Sequence, residues 1–246
     1  MKNSITILIT GCSTGIGFET AVYLKKLGYH VVATARQTKD IKHLHDMGFE
    51  AYYLDVTNHQ SIKDVVQKMD KIDVLFNNAG YGQPGAVEDV SYDALKEQFE
   101  TNVFGLHEVT RQVIPIMRKQ GHGKIIQHSS VLGLISLKFR GAYNASKYAI
   151  EGLSDTLRLE LQGSNISVSL LNTGPVISNF RHNAKKMTQK NIDIQNSIHK
   201  EQYEKSLQSA KSDVPFTLES IDVAYVVEKI IQSKNPKPRY YITKAT

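Results

Sequence analysis

Several features that mark other classes of protein are scarce or missing in this chain of 246 residues. There is one cysteine, Cys12, so no intrachain disulfide can form and nothing indicates an oxidising compartment. No stretch approaches the roughly 20 apolar residues of a membrane-spanning helix, and the apolar run near the first residue is too short for a signal peptide. We therefore expect a cytoplasmic protein without a membrane partner.

The excess of positive charge is modest and scattered. The net charge is +6, and its densest part, at Lys185, Lys186 and Lys190, lacks the interleaved aromatic residues of many nucleic-acid-binding surfaces. We therefore expect no nucleic-acid partner.

Motifs of other enzyme classes are missing too. The glycine-rich loop near the start has no Gly-Lys-Ser/Thr, which argues against an NTPase. The pair His107-Glu108 has no second histidine four residues on, and Ser130 is not in a G-x-S-x-G turn, so neither a zinc protease nor a serine hydrolase is indicated. We expect no metal site.

Apolar, β-branched runs alternate with amphipathic stretches along the chain. Strands are predicted at 5–10, 30–35, 50–54, 73–76, 124–128, 166–171 and 240–243, and helices at 15–27, 41–47, 57–69, 92–120, 143–161 and 218–233. Thr57 and Gln60 are predicted to form a capping box. This alternation predicts an α/β fold: one Rossmann-type domain over 1–246, with a doubly wound, mostly parallel sheet of about seven strands and helices on both faces. The polar segment 178–213 is either disordered or a lid over the site, and we favour the lid.

The first predicted strand leads into a glycine-rich loop, Gly11-Cys-Ser-Thr-Gly15-Ile-Gly17, and then a helix. The spacing differs from G-x-G-x-x-G, but glycines still permit a tight turn and close backbone approach, and a helix N-terminus offers free N–H groups to a pyrophosphate. The alternative is an ordinary strand-to-helix turn. The position after the first strand favours a dinucleotide site.

The end of the second predicted strand bears on which dinucleotide binds. An NAD-selective site places Asp or Glu there, whereas this chain has Ala35 followed by Arg36. Arginine can hold a 2′-phosphate with forked, charge-assisted hydrogen bonds. A solvated surface arginine is the alternative. We predict NADP(H).

Tyr143 and Lys147 lie four residues apart in a predicted helix, so their side chains share one face. A phenol is a suitable acid for an alkoxide, and an ammonium within about 4–6 Å, with the oxidised ring of the cofactor nearby, is expected to lower its pKa towards working pH. A plain amphipathic helix face would carry the same pair.

Further motifs follow in a fixed order. The glycine-rich loop, Asn77-Asn-Ala-Gly80, Asn102, Ser129-Ser130 and Tyr143-x-x-x-Lys147 together resemble the short-chain dehydrogenase/reductase family over nearly the whole chain. The sequence around Ser130 and Tyr143 is similar to that of the branch of 17β-hydroxysteroid and retinol dehydrogenases, and especially to bacterial NADP-dependent aldehyde reductases.

The resemblance assigns roles to matching residues. It implies a catalytic set of Asn102, Ser130, Tyr143 and Lys147, with Ser130 and Tyr143 binding the substrate oxygen and Asn102 holding a water in a proton relay. It implies cofactor contacts from Gly11, Ser13, Thr14, Gly15, Ile16, Gly17, Arg36, Asp55, Val56, Asn78, Ala79, Gly80, Tyr143, Lys147, Val176 and Ser178. Where the family usually has proline after the sixth strand, this chain has Thr173, which is expected to loosen the turn.

These observations predict an NADPH-dependent oxidoreductase that reduces an aldehyde or ketone, expected to be apolar, to an alcohol. An oxidative alcohol or hydroxysteroid dehydrogenase is the first alternative, and a non-catalytic NADP(H)-binding sensor or scaffold is the second. The resemblance also implies a homodimer or homotetramer.

Overall fold

The strand pattern in the sequence becomes a parallel β-sheet of seven strands in the computed structural model, which describes residues 4–208 and 217–243. The strands are β1 (Thr6–Ile9), β2 (His30–Ala35), β3 (Glu50–Tyr53), β4 (Val74–Asn77), β5 (Gly123–Ser130), β6 (Ile166–Thr173) and β7 (Arg239–Ile242). Their order across the sheet is β3-β2-β1-β4-β5-β6-β7, and each neighbouring pair is parallel. The chain thus builds outward from β1 to one edge, returns to place β4 beside β1, and continues to the other edge. The predicted doubly wound α/β fold is confirmed.

Helices cover both faces of the sheet. They are α1 (Gly15–Lys26), α2 (Thr38–Asp46), α3 (His59–Val66), α4 (Tyr92–Phe99), α5 (Leu106–Gln120), α6 (Gly141–Glu160), α7 (Phe180–Asn191), α8 (Lys200–Gln208) and α9 (Ser220–Gln232). None of these helices, which belong to the described ranges 4–208 and 217–243, is both long and apolar enough to cross a lipid bilayer.

Alternation along the central strands explains the two-sided core. Successive side chains of a strand point to opposite faces, and here both faces are apolar. Ile7 and Ile9 pack in the cluster shared with α1 and α9, whereas Leu8, between them, packs in the cluster shared with α3 and α5. This double burial fixes the sheet as a buried layer whose ligands must approach at its edge, beyond the strand ends.

The long helix predicted at 92–120 is interrupted. Between α4 and α5 the backbone forms a π-helical turn, Glu100–Gly105, in which Asn102 lies. The Asn102 amide donates to the Tyr81 carbonyl at 3.0 Å and to the Ser146 hydroxyl at 3.1 Å, and its oxygen accepts from the Tyr81 N–H at 3.1 Å. A side chain bonded to groups outside the helix in this way accommodates the widened turn.

The predicted capping box at the start of α3 is wrong. Asn58 is the N-cap residue, and its side-chain oxygen accepts from the N–H groups of Gln60 and Ser61 at 2.9 and 3.1 Å. The Thr57 hydroxyl instead donates to Asp55 at 2.8 Å. Asparagine is at least as good an N-cap as threonine, so the helix begins one residue later than a threonine cap would place it.

The polar segment 178–213 contains α7 and α8, and its last residues, 209–213, lie outside the described residues. Lys190 pairs with Glu97 of α4 at 3.1 Å. The Tyr203 hydroxyl donates to Asp89 at 2.7 Å and accepts from the Ala86 N–H at 2.7 Å. The described part of the segment therefore contains two helices and contacts the rest of the fold, and its role as a lid stays a prediction.

Candidate functional site

A cleft of about 730 Å³ opens where the loops after β1, β4, β5 and β6 meet. Here the chain adds strands β2 and β3 on one side of β1 and strands β4 to β7 on the other. Ligands of such sheets usually bind at the point where this order reverses. Most residues predicted to contact a cofactor or substrate line this cleft: Gly11, Ser13, Thr14, Gly15, Ile16, Arg36, Val56, Asn78, Ala79, Gly80, Ser130, Tyr143, Lys147, Val176 and Ser178. Gly17, Asp55 and Asn102 are not among its lining residues.

The glycine-rich loop has the shape of a cradle for phosphate groups. Gly11 and Gly15 have φ of 73° and 63°, which side chains with a Cβ rarely adopt. A Cβ on Gly11 would also lie 3.0 Å from the Ala79 Cα, and one on Gly17 would overlap the Gly11 carbonyl and the Asn78 amide. Gly17 thus serves close packing beneath the loop rather than lining the cleft.

Helix α1 presents its N-terminus to the same cleft. Within the described residues its first turn has no acidic side chain, and the side chain of its N-cap residue, Thr14, makes no capping hydrogen bond. The first N–H groups of the helix are therefore available to an anion, and the helix dipole favours negative charge there. This donor set fits the pyrophosphate of a dinucleotide.

At the other end of the cleft, Arg36 follows β2 and is exposed. Asp40, in α2, lines the same end and was not singled out from the sequence. Asp55 lies near this end, but its carboxylate accepts from the N–H of Thr57 at 3.0 Å and from its hydroxyl. Asp55 thus shapes the loop after β3, while the next residue, Val56, lines the cleft.

Tyr143 and Lys147 lie in the first two turns of α6 and are both buried. The Lys147 ammonium is 5.5 Å from the centre of the Tyr143 ring. It donates a hydrogen bond of 2.6 Å to the backbone carbonyl of His128 in β5. The predicted pair therefore shares one face of the helix and points into one cleft.

The pKa of the Tyr143 phenol is raised in the protein without a bound cofactor. Burial raises the pKa of Tyr143 to about 12, and a hydrogen bond with Ser130 opposes the increase only in part. Loss of solvent around the phenolate is the main cause of the increase. The lowering expected from Lys147 together with the oxidised ring of a bound cofactor stays a prediction. Burial also lowers the pKa of Lys147 to about 8, against the opposing charge of Glu151, so the ammonium form still prevails at neutral pH.

Ser130 and Asn102 occupy different positions relative to the cleft. Ser130 ends β5 and lines the cleft, where its hydroxyl donates to the Thr173 carbonyl at 3.2 Å and accepts from the Leu132 N–H at 3.1 Å. Asn102 lies behind the cleft wall, and its side chain bonds the Tyr81 backbone and Ser146. The structure therefore brings Ser130, Tyr143 and Lys147 together and places Asn102 one layer back.

Several lining residues were missed by sequence reasoning, among them His128, Arg140 and Phe180. The Phe180 ring meets the Tyr143 ring edge-on at 5.4 Å between centres. Across 4–208 and 217–243, no group of three or more His, Cys, Asp or Glu side chains is arranged to hold a metal ion.

Comparison with known proteins gives the family. The sequence profile described as short chain dehydrogenase matches residues 5–189. The uncharacterized oxidoreductase YbbO of Escherichia coli strain K12 is 37% identical over 246 residues, covering 98% of this chain and 86% of that protein. Human retinol dehydrogenase 8 is 39% identical over 186 residues, covering 71% of this chain and 60% of its own length.

Solved structures support the same family. The actinorhodin polyketide ketoreductase with NADPH is similar with a TM-score of 0.78 and 27% identity, over 98% of this chain and 96% of that one. A related dehydrogenase structure from Burkholderia phymatum is in complex with NAD. The chain therefore belongs to the short-chain dehydrogenase/reductase family and is an oxidoreductase that takes a nicotinamide cofactor.

Proposed function

We propose that the protein is an NADPH-dependent reductase that converts an aldehyde or ketone into an alcohol. The observation that carries this proposal is the convergence of Tyr143, Lys147 and Ser130 on one cleft with the glycine-rich loop and the free N-terminus of α1. The cofactor, when bound, supplies a hydride, so the protein must provide the proton and stabilise the charge that develops on the substrate oxygen.

The residues divide these tasks. With a pKa of about 12, Tyr143 is a neutral phenol at pH 7 and can donate its proton to the substrate oxygen. The Ser130 hydroxyl can hydrogen-bond the same oxygen and stabilise its developing charge. The Lys147 ammonium, near the Tyr143 ring, favours the phenolate that remains after the proton leaves. A phenol protonated at rest favours reduction over oxidation near neutral pH.

The lining of the cleft supports an apolar substrate. It includes Leu132, Leu137 and Phe180, which offer no charge to a substrate, and the Phe180 ring contacts the Tyr143 ring. The similarity to retinol dehydrogenase 8, whose name gives an apolar alcohol, favours the same class of compound. Arg140 also lines this region, so a polar group on part of the substrate is compatible with the site.

Arg36 supports NADP(H) over NAD(H). It lines the cleft directly after β2, where its guanidinium can meet a 2′-phosphate, and the similar ketoreductase structure holds NADPH. An Arg36→Ala protein should bind NADPH about tenfold or more weakly, while NADH binding stays within about twofold. Lys39→Ala, also exposed on this side but outside the cleft lining, is the matched control. Equal losses for both cofactors would contradict the assignment.

The catalytic role of Tyr143 is tested by removing its hydroxyl. In a screen of aldehydes, ketones and steroids with NADPH, Tyr143→Phe should reduce kcat by about 100-fold or more, because the proton donor is lost. Tyr148→Phe removes an exposed hydroxyl from the same helix and should leave kcat unchanged. Full activity of Tyr143→Phe would refute the assigned acid.

Two alternatives make different predictions in the same assays. An oxidative dehydrogenase would turn over alcohols with NADP faster than carbonyls with NADPH at pH 7. A cofactor-binding sensor or scaffold would bind NADPH tightly and turn over no member of the panel.

Exposed apolar side chains support the proposed homo-oligomer. Phe104, in the π-helical turn, is 52% exposed, and Leu153 and Leu159 of α6 are 42% and 65% exposed. Isolated exposed apolar residues are common on monomers too, so the oligomeric state must be measured directly. Leu153→Glu should shift the protein to a smaller species in sedimentation, and a wild-type monomer would refute the proposal.

A further inference from the structure

Three polar side chains form a row across the carboxyl ends of three neighbouring strands. Asn78 directly follows β4, His128 lies near the end of β5, and Thr173 is the last residue of β6. Asn77 is paired with Gln127 and Ser130 with Thr173 in the sheet, so the row lies where the ladders end. All three side chains border the cleft.

The hydrogen bonds along this row have one consistent direction. The Asn78 amide nitrogen donates to the carbonyls of Thr10 and Gly11 at 2.9 and 3.0 Å, so its oxygen faces His128 as an acceptor. The His128 Nδ1 lies 3.1 Å from this oxygen and must carry the proton. Its Nε2, 3.1 Å from the Thr173 hydroxyl, then accepts from that hydroxyl.

The same residues are tied to the proposed reaction centre through their backbones. The His128 carbonyl accepts from the Lys147 ammonium at 2.6 Å. The Thr173 carbonyl accepts from the Ser130 hydroxyl at 3.2 Å. Through Asn78 the row reaches the carbonyl of Gly11 in the phosphate-binding loop. One series of hydrogen-bonded side chains thus connects the groups that contact Lys147, Ser130 and the glycine-rich loop.

We propose that Thr173 and His128 are positioning residues for hydride transfer, acting through the Thr173–His128–Asn78 hydrogen-bond chain. This proposal rests on the proposed reductase function. The chain sets the spacing of three strand ends, and with it the relative placement of Ser130 and Lys147. Hydrogen bonds in series polarise one another, so loss of one member weakens the others.

The proposal also accounts for the threonine at 173. A proline there has neither a hydroxyl nor an N–H, so it could not serve the Nε2 of His128. Thr173 does not simply loosen the turn, as its sequence position suggested. It continues β6, paired with Ser130 on one side and with Ile242 of β7 on the other.

Steady-state kinetics test the positioning role. Thr173→Val keeps the side-chain shape without the hydroxyl and should lower kcat by about tenfold or more, since small misplacements of reacting groups are costly. The KM for NADPH should change less than kcat. Thr173→Ser restores a hydroxyl and should recover most of the rate.

A double variant shows whether Thr173 and His128 act through one hydrogen-bond chain or separately. His128→Leu should lower kcat about as much as Thr173→Val, and the double variant should be little worse than either single variant. Ser169→Ala is the matched control, because it removes a buried hydroxyl from the same strand, bonded to the Lys237 carbonyl away from the cleft. Wild-type kcat for Thr173→Val, or fully additive losses in the double variant, would overturn the proposal.

A measurement that needs no turnover separates this proposal from the proposed function. In nitrogen NMR of the imidazoles, wild-type His128 should be the neutral Nδ1–H tautomer, and Thr173→Val should shift its Nε2 resonance while Thr173→Ser should not. If no carbonyl is reduced by the wild type, the reductase assignment fails, while these spectra still report on the chain. An Nε2–H tautomer would refute the chain even in an active enzyme.

Discussion

His128 should make the fold sensitive to mild acid. Burial, together with the nearby positive charge of Lys147, lowers the pKa of His128 from 6.5 to about 3. In the unfolded chain the imidazole takes up a proton as the pH falls through 6.5, whereas the folded protein excludes that proton until the pH approaches 3. Acid therefore favours the unfolded state, and this loss of stability develops below pH 6.5.

The size of the effect follows from the two pKa values. Each pH unit between them is worth about 1.4 kcal/mol, so lowering the pH from 7 to 5 removes at most about 2 kcal/mol of unfolding free energy. The ring borders the cleft, where solvent reduces the cost of charging it. We therefore expect a loss of about 1–2 kcal/mol from His128 alone.

The assay is urea unfolding, followed by circular dichroism at pH 7 and pH 5, of the wild type and of His128→Gln. Glutamine keeps one donor and one acceptor but does not titrate in this range. The wild type should lose about 1–2 kcal/mol more than the variant between the two pH values. The other histidines are common to both proteins and cancel in the difference. Equal losses in the two proteins would show that His128 is not held neutral, and the reasoning would fail.

Three further outcomes are expected. Gly17→Ala should weaken NADPH binding about tenfold and lower the unfolding midpoint, because a Cβ there overlaps the Gly11 carbonyl; unchanged binding by titration would contradict this. Cys12 is fully buried and burial raises its pKa to about 12, so the native protein should resist alkylation until urea unfolds it, and rapid native labelling would argue otherwise. Arg239→Met should destabilise the fold by about 1.5–3 kcal/mol, measured by urea unfolding, because the buried Glu151 carboxylate loses its 2.9 Å ion pair but keeps its hydrogen bond from Asn172; Lys237→Met is the control.

Local pattern was enough to predict the architecture. Short β-branched runs that are apolar on both faces of the strand are typical of a buried parallel sheet. The strands lie close to their predicted positions. The glycine-rich loop and the Tyr143–Lys147 pair could be predicted because each depends on residue type at a fixed short spacing, whereas Ser130 was assigned only through the resemblance to the family. Backbone conformation at Gly11 and Gly15, and the helical spacing of four residues, are properties of the local chain.

Tertiary structure decided what depends on distant neighbours. The π-helical turn around Asn102 forms with bonds to Tyr81 and Ser146, which lie far away in the sequence. The pKa of Tyr143 rises because the folded chain removes solvent from its phenol, a loss that the Tyr143–Lys147 spacing does not reveal.

The same distinction separates the glycine-rich loop from the chain through Thr173 and His128. A glycine is required at a turn by its own backbone angles, so the sequence by itself determines the loop. Thr173 and His128 meet only because β5 and β6 pair in one register, across a separation of 45 residues. Hydrogen bonds between strand ends depend on that register, and only the folded sheet sets it.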